Sequence, residues 1–110
     1  LWLSEDIPIN GYSSIYLSIT TRVEGDVECA ACGAGGDYLE ASYQIDGGVW
    51  IPFVTICGAT NGFISTDCIY IGIGNILKIR VLLGNQANNE VYYFDDVIVY
   101  TTQSNVIYHN

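Results

Sequence analysis

Apolar residues in this chain recur at every second position. Ile15, Leu17 and Ile19 alternate with Tyr16, Ser18 and Thr20, a period of two that sets one face of a strand against a core. No window of about 11 residues carries apolar positions at the helical period, and glycine or β-branched residues interrupt every stretch. The pattern predicts extended segments over 2–9, 15–20 with a continuation through 22–28, 38–45, 49–56, 68–73, 76–83 and 90–100. Pro8 marks an edge or exposed position, because proline donates nothing to a ladder. Asp46-Gly47-Gly48 reads as a hairpin turn, since glycine accepts positive φ without a steric cost. Residues 29–36, 57–67 and 84–89 read as loops.

About eight strands at regular spacing, with turn signals between them, predict an all-β antiparallel sandwich of the jelly-roll kind, without significant helix. A βαβ fold does not fit. One domain over residues 1–100 is expected, followed by a tail over 101–110. Val106, Ile107 and Tyr108 give that tail strand-forming character, as an extra or exchanged strand.

The 110 residues include twelve acidic and three basic side chains, for a net charge of −9. The basic residues are Arg22, Lys78 and Arg80, too few and too scattered to track a phosphate backbone, so nucleic-acid binding is excluded. Anionic membranes are disfavoured for the same reason, and no apolar run is long enough for insertion as a spanning helix. Half of the residues are hydrophobic and only 14% are charged, which excludes disorder and leaves more apolar side chains than one core face needs.

Four cysteines, Cys29, Cys32, Cys57 and Cys68, accompany a complete lack of methionine, position 1 included. A processed chain, or one cut from a longer product and already free of a signal peptide, is expected. An even cysteine count in a short domain points to disulfides and a secreted or cell-surface location. Zinc competes at Cys29-Ala-Ala-Cys32, but a second close pair is missing and the one histidine, His109, lies at the end of the chain. A thioredoxin-like role fails because Gly33, Gly35 and Gly36 follow the pair where a helix would be needed. Three connectivities are open; the local pairing Cys29–Cys32 with Cys57–Cys68 is favoured.

Four segments taken together carry a resemblance. They are residues 2–12 (WLSEDIPINGY), 37–50 (DYLEASYQIDGGVW), 77–81 (LKIRV) and 92–99 (YYFDDVIV). In this order they resemble the jelly-roll modules of secreted and surface-attached bacterial proteins, similar to carbohydrate-binding modules and galactose-binding-like domains. The last segment also makes a physical demand. Phe94, Val97 and Val99 read as core, yet strict alternation from Phe94 would bury Asp96; a bulge at Asp95-Asp96 restores the register. The resemblance implies that a carboxylate there ligates a structural calcium ion, with Glu5 and Asp6 as matching acids. Capping of backbone amides at the bulge is the competing role for Asp95 and Asp96.

No catalytic constellation stands out. The only imidazole is in the tail, no pair of acids is singled out for glycoside hydrolysis, and the glycines at 33–36 precede a strand. A non-enzymatic module is expected. Its apolar excess points to a structural or adhesive role with self-association through edge strands and apolar sheet faces, as in a fibre or surface layer. The end segments Trp2-Leu3 and Val106-Ile107-Tyr108 are candidates for exchange between copies. The alternative is a carbohydrate-binding module with structural calcium, its glycan contacts falling to Trp50 and, less strongly, Tyr43.

Overall fold

Nine strands form two antiparallel sheets packed as a sandwich in a computed structural model of the chain, which describes residues 1–24, 38–58, 60, 62–84, 91–101 and 105–110. The longest is β3 (Ser14–Glu24), in which every second residue is buried, from Ile15 to Val23. It pairs on one side with β6 (Ile64–Ile71) and on the other with β8 (Val91–Tyr100), which is flanked in turn by β9 (Val106–His109). In the second sheet β7 (Ile76–Gly84) lies beside β4 (Tyr38–Ile45), and β4 beside β5 (Ile51–Cys57). The short strands β1 (Trp2–Leu3) and β2 (Ile7–Pro8) both pair with β7 and form its other edge. Pairing of β3 with β8 in one sheet and of β4 with β7 in the other is nested, which gives the expected wrapped connectivity. Among the described residues there is no helix.

The core forms where the inward residues of the two sheets meet: Ile15, Leu17 and Ile19 against Leu39, Ala41, Leu77, Ile79 and Val81, with Val97 and Val99 from β8. Burying aliphatic side chains of this size stabilises the fold by about 1.5–3 kcal/mol each. The demand for a bulge in β8 is met. Ser18 faces Ile98 and Thr20 faces Asp95, so Ile19 opposes both Asp96 and Val97. Asp96 takes a positive φ of 50° there, and its amide donates to Asp95 Oδ1 at 2.8 Å. That twist returns Val97 and Val99 to the core.

The N-terminal segment, expected as one strand, is two. Between Leu3 opposite Arg80 and Ile7 opposite Leu77 it carries one residue more than its partner. Ser4 bridges the irregularity: its amide donates to the Ile79 carbonyl, and its hydroxyl accepts from the Ile79 amide at 2.9 Å. Strand β6 begins at Ile64, within the segment expected to be a loop over 57–67. Its polar residues hide a regular ladder, in which Ser65 and Thr20 face each other with hydroxyls 3.1 Å apart. The tail over 101–110 provides β9 to its own sheet, and the segment 2–3 likewise pairs at home.

The hairpin between β4 and β5 turns where expected. Asp46 and Gly47 both have positive φ, and the Gly48 amide donates to the Ile45 carbonyl. The Asp46 carboxylate then reaches the connection before β7, accepting from the amides of Asn75 (3.0 Å) and Ile76 (2.8 Å). Its own amide donates back to the Ile76 carbonyl. A side chain at a turn thus clamps two strand ends whose sequence separation is about thirty residues. Asp46→Ala removes the acceptor and places a Cβ-bearing residue without local polar support at positive φ. The expected loss is about 1–2 kcal/mol in chemical denaturation, with Asp46→Asn retaining about half of it; an Ala variant as stable as the parent contradicts the clamp.

Candidate functional site

The residues singled out for calcium are not gathered. Asp96 faces His109 of β9, with Nε2 3.1 Å from Oδ1, and Asp95 accepts the Asp96 amide, which is the capping role. Asp6 lies at the edge of the other sheet, 3.3 Å from the Lys78 ammonium, and Glu5 is exposed. Calcium asks for six to eight oxygens around one point. Among the described residues no three acidic, histidine or cysteine side chains form such a cluster.

The cysteines depart from the favoured pairing. Cys68 is a free thiol and Cys57 is disulfide-bonded, so a Cys57–Cys68 bridge does not form. Cys57 ends β5 opposite Tyr38 in one sheet, and Cys68 faces Leu17 in the other. Cys29 and Cys32 lie outside the described residues. Cys68 points inward, and burial, then the neighbouring Asp67 carboxylate, pushes its thiol up to about 11.

Tyr43 is not on a surface. It sits in the core, where its ring meets Tyr70 edge-on at 6.0 Å and Phe53 at 6.3 Å. Trp50 lies on the outer side of the five-stranded sheet, folded against Arg80 with the guanidinium 4.5 Å from the ring centroid. Ser42, opposite Arg80 in the register, is fully buried although it points outward, as expected of a small residue beneath that pair. Further along the same face a concave region of about 560 Å³ is lined by Asp6, Gln44, Asp46, Asn75 and Lys78.

The outer face of the four-stranded sheet is different in kind. Register places Ile69, Tyr16, Tyr100 and Val106 opposite one another, so one apolar row crosses all four strands. The Tyr16 and Tyr100 rings stack at 5.3 Å, nearly parallel. Ile71, 74% exposed, and Ile69, 45% exposed, extend the row to the sheet edge. At the other end Arg22 lies over the rings of Phe63 and Tyr93 and pairs with Glu24. Between these two ends stand Ser18, Thr20, Asp67 and Asp95. Of the proposed end segments, Leu3 and Val106 are exposed, whereas Trp2 packs against Phe94 at 5.5 Å and Ile107 and Tyr108 pack on the core. Burial, then Glu5, raises the Tyr108 hydroxyl above its ordinary range. The row itself was missed because its members lie on four strands, although the parity of each residue against β3 was visible.

No family model, no curated protein and no solved structure matches this chain. The two-sheet architecture therefore stands on the chain's own geometry.

The raised Cys68 pKa has a consequence for stability. A thiol whose folded value lies above its unfolded one favours the folded state while protonated, and that contribution is lost as pH rises from about 9 towards about 11. Stability is expected to fall across this window, and Cys68→Ala to make the fall shallower. Tyr43, Tyr100 and Tyr108, all raised first by burial, act in the same direction. An identical alkaline profile in Cys68→Ala contradicts the assignment.

Proposed function

We propose that this chain is a non-catalytic structural or adhesive module of an extracellular or cell-surface protein, and that it self-associates through the outer face of its four-stranded sheet. The observation that carries this reading is the apolar row Ile69–Tyr16–Tyr100–Val106 on the outer side of the sheet, with Ile69 and Val106 exposed and the two stacked tyrosines half-buried between them. Contiguous exposed apolar surface of this kind marks interaction sites on soluble domains. The stacked tyrosines shield one another's faces, so the row offers ring edges and aliphatic groups, which suit protein packing better than the flat stacking of a sugar.

The edge strand β6 supports the same reading. Its eight residues contain no lysine, arginine or proline, the devices that commonly discourage edge pairing. By contrast, the edge strand β5 carries Pro52. A secreted setting is consistent with the disulfide-bonded Cys57.

Carbohydrate binding is the second reading. It is favoured by Trp50 beside the concave, amide- and carboxylate-lined region on the opposite face. A Trp50→Ala variant that abolishes retention on polysaccharide columns would support it.

The principal test is hydrodynamic. Tyr16→Thr/Tyr100→Thr keeps two strand-forming residues in place and removes the ring stack. Sedimentation is expected to show concentration-dependent association of the parent chain, weakened about tenfold or more in the double variant. A parent chain that stays monomeric, or a variant that associates equally well, overturns the reading.

A further inference from the structure

The depression on the outer side of the five-stranded sheet is built almost wholly from polar side chains. Its volume of about 560 Å³ falls within the range of small-molecule sites, and Asp6, Gln44, Asp46, Asn75 and Lys78 line it. The fold holds several of them in place. Both oxygens of Asp46 accept from the Asn75 amide, and Oδ1 also accepts from the Ile76 amide. Gln44 donates through Nε2 to the Gly48 carbonyl at 2.8 Å, which leaves its own carbonyl oxygen for another partner. The Lys78 ammonium stands 3.3 Å from Asp6 and keeps further protons to donate. Asn75 adds a side-chain amide that both donates and accepts. Trp50 borders this group: Ile51 faces Tyr43 in the ladder, so Trp50 comes level with Gln44. The Arg80 guanidinium, 4.5 Å from the ring centroid, holds the half-buried indole there.

From this lining we infer that the depression binds a neutral, hydroxyl-rich ligand, a sugar unit of an uncharged polysaccharide. Gln44, Asn75 and Lys78 take its hydroxyls, and Trp50 packs on its carbon–hydrogen surface. This rests on the carbohydrate-binding reading, names the charge class of the ligand and the side chains that read it, and is independent of self-association. Charge decides the class. Two carboxylates line the depression against one ammonium, and Glu40 stands on the same face beside Ser42, so an anion is repelled. A metal ion finds the acids already engaged, Asp6 by Lys78 and Asp46 by two backbone amides, where calcium would ask for six to eight free oxygens. An apolar ligand meets no apolar wall, since Ile76 alone among the lining residues carries a hydrophobic side chain. What fits is a neutral molecule whose groups each donate and accept, as a sugar hydroxyl does. Side chains already held by the fold lose little freedom when they bind it.

Native affinity electrophoresis of the full chain tests this, in gels that hold a neutral β-glucan, a galactomannan, a xylan or polygalacturonate. At least one neutral polysaccharide is expected to retard the chain and polygalacturonate to leave it unretarded, with the same result in excess chelator. Gln44→Ala/Asn75→Ala keeps the backbone amide that Asp46 accepts from and removes two of the polar groups. That double variant and Trp50→Ala are each expected to bind about tenfold or more weakly than the parent, with the melting transition intact. Should Trp50→Ala lose that transition, the double variant carries the test. Retardation by polygalacturonate alone, or neutral binding that chelator abolishes, overturns the neutral, metal-free site and leaves the carbohydrate-binding reading standing. Neutral binding undiminished in Gln44→Ala/Asn75→Ala overturns the placement in this depression. No retardation in any gel overturns both the site and that reading.

Discussion

The register of β3 is the constraint on which the four-stranded sheet depends. It is the strand that hydrogen-bonds to both β6 and β8, and its alternation fixes which side chains of all three reach the core. Leu17 inward brings Val99 and Cys68 inward with it; Tyr16 outward brings Tyr100 and Ile69 outward. A one-residue slip would exchange these sets and empty the core. The same alternation that builds the interior therefore also builds the apolar row outside. The bulge at Asp96 lets β8 honour this register along its whole length, at the cost of one residue held at positive φ.

Much of this was legible wherever a local rule was in conflict with itself. Phe94, Val97 and Val99 could not all face inward without an extra residue, so the bulge followed from sequence. Asp46-Gly47 announced its turn because few other pairs accept two successive positive φ values. What stayed hidden depends on long-range pairing. Strand β6 begins among polar residues whose only signal is the strand they face, and the partner of Trp50 is Arg80, thirty positions away. Tyr43, named as a weaker glycan contact, shares its parity with Leu39 and Ala41, and its contacts with Tyr70 and Phe53 place it in the core. The cysteine pairing was not legible either, since four cysteines allow three connectivities.

Electrostatics and hydrophobicity meet on the surface in a particular way. The acids on the outer face of the four-stranded sheet stand between two apolar ends, so a partner that covers the apolar groups must also answer the carboxylates. Burying a charge without a partner is costly.

The central claim is that the outer face carrying Tyr16 and Tyr100 is covered by another copy of the chain. Tyrosine-selective labelling of the unmodified protein, read out residue by residue by mass spectrometry at low and at high concentration, addresses it most directly. Tyr12, exposed in the turn before β3, serves as the internal reference. Labelling of Tyr16 and Tyr100 is predicted to fall as concentration rises while labelling of Tyr12 holds constant; equal labelling of all three at both concentrations would contradict the account.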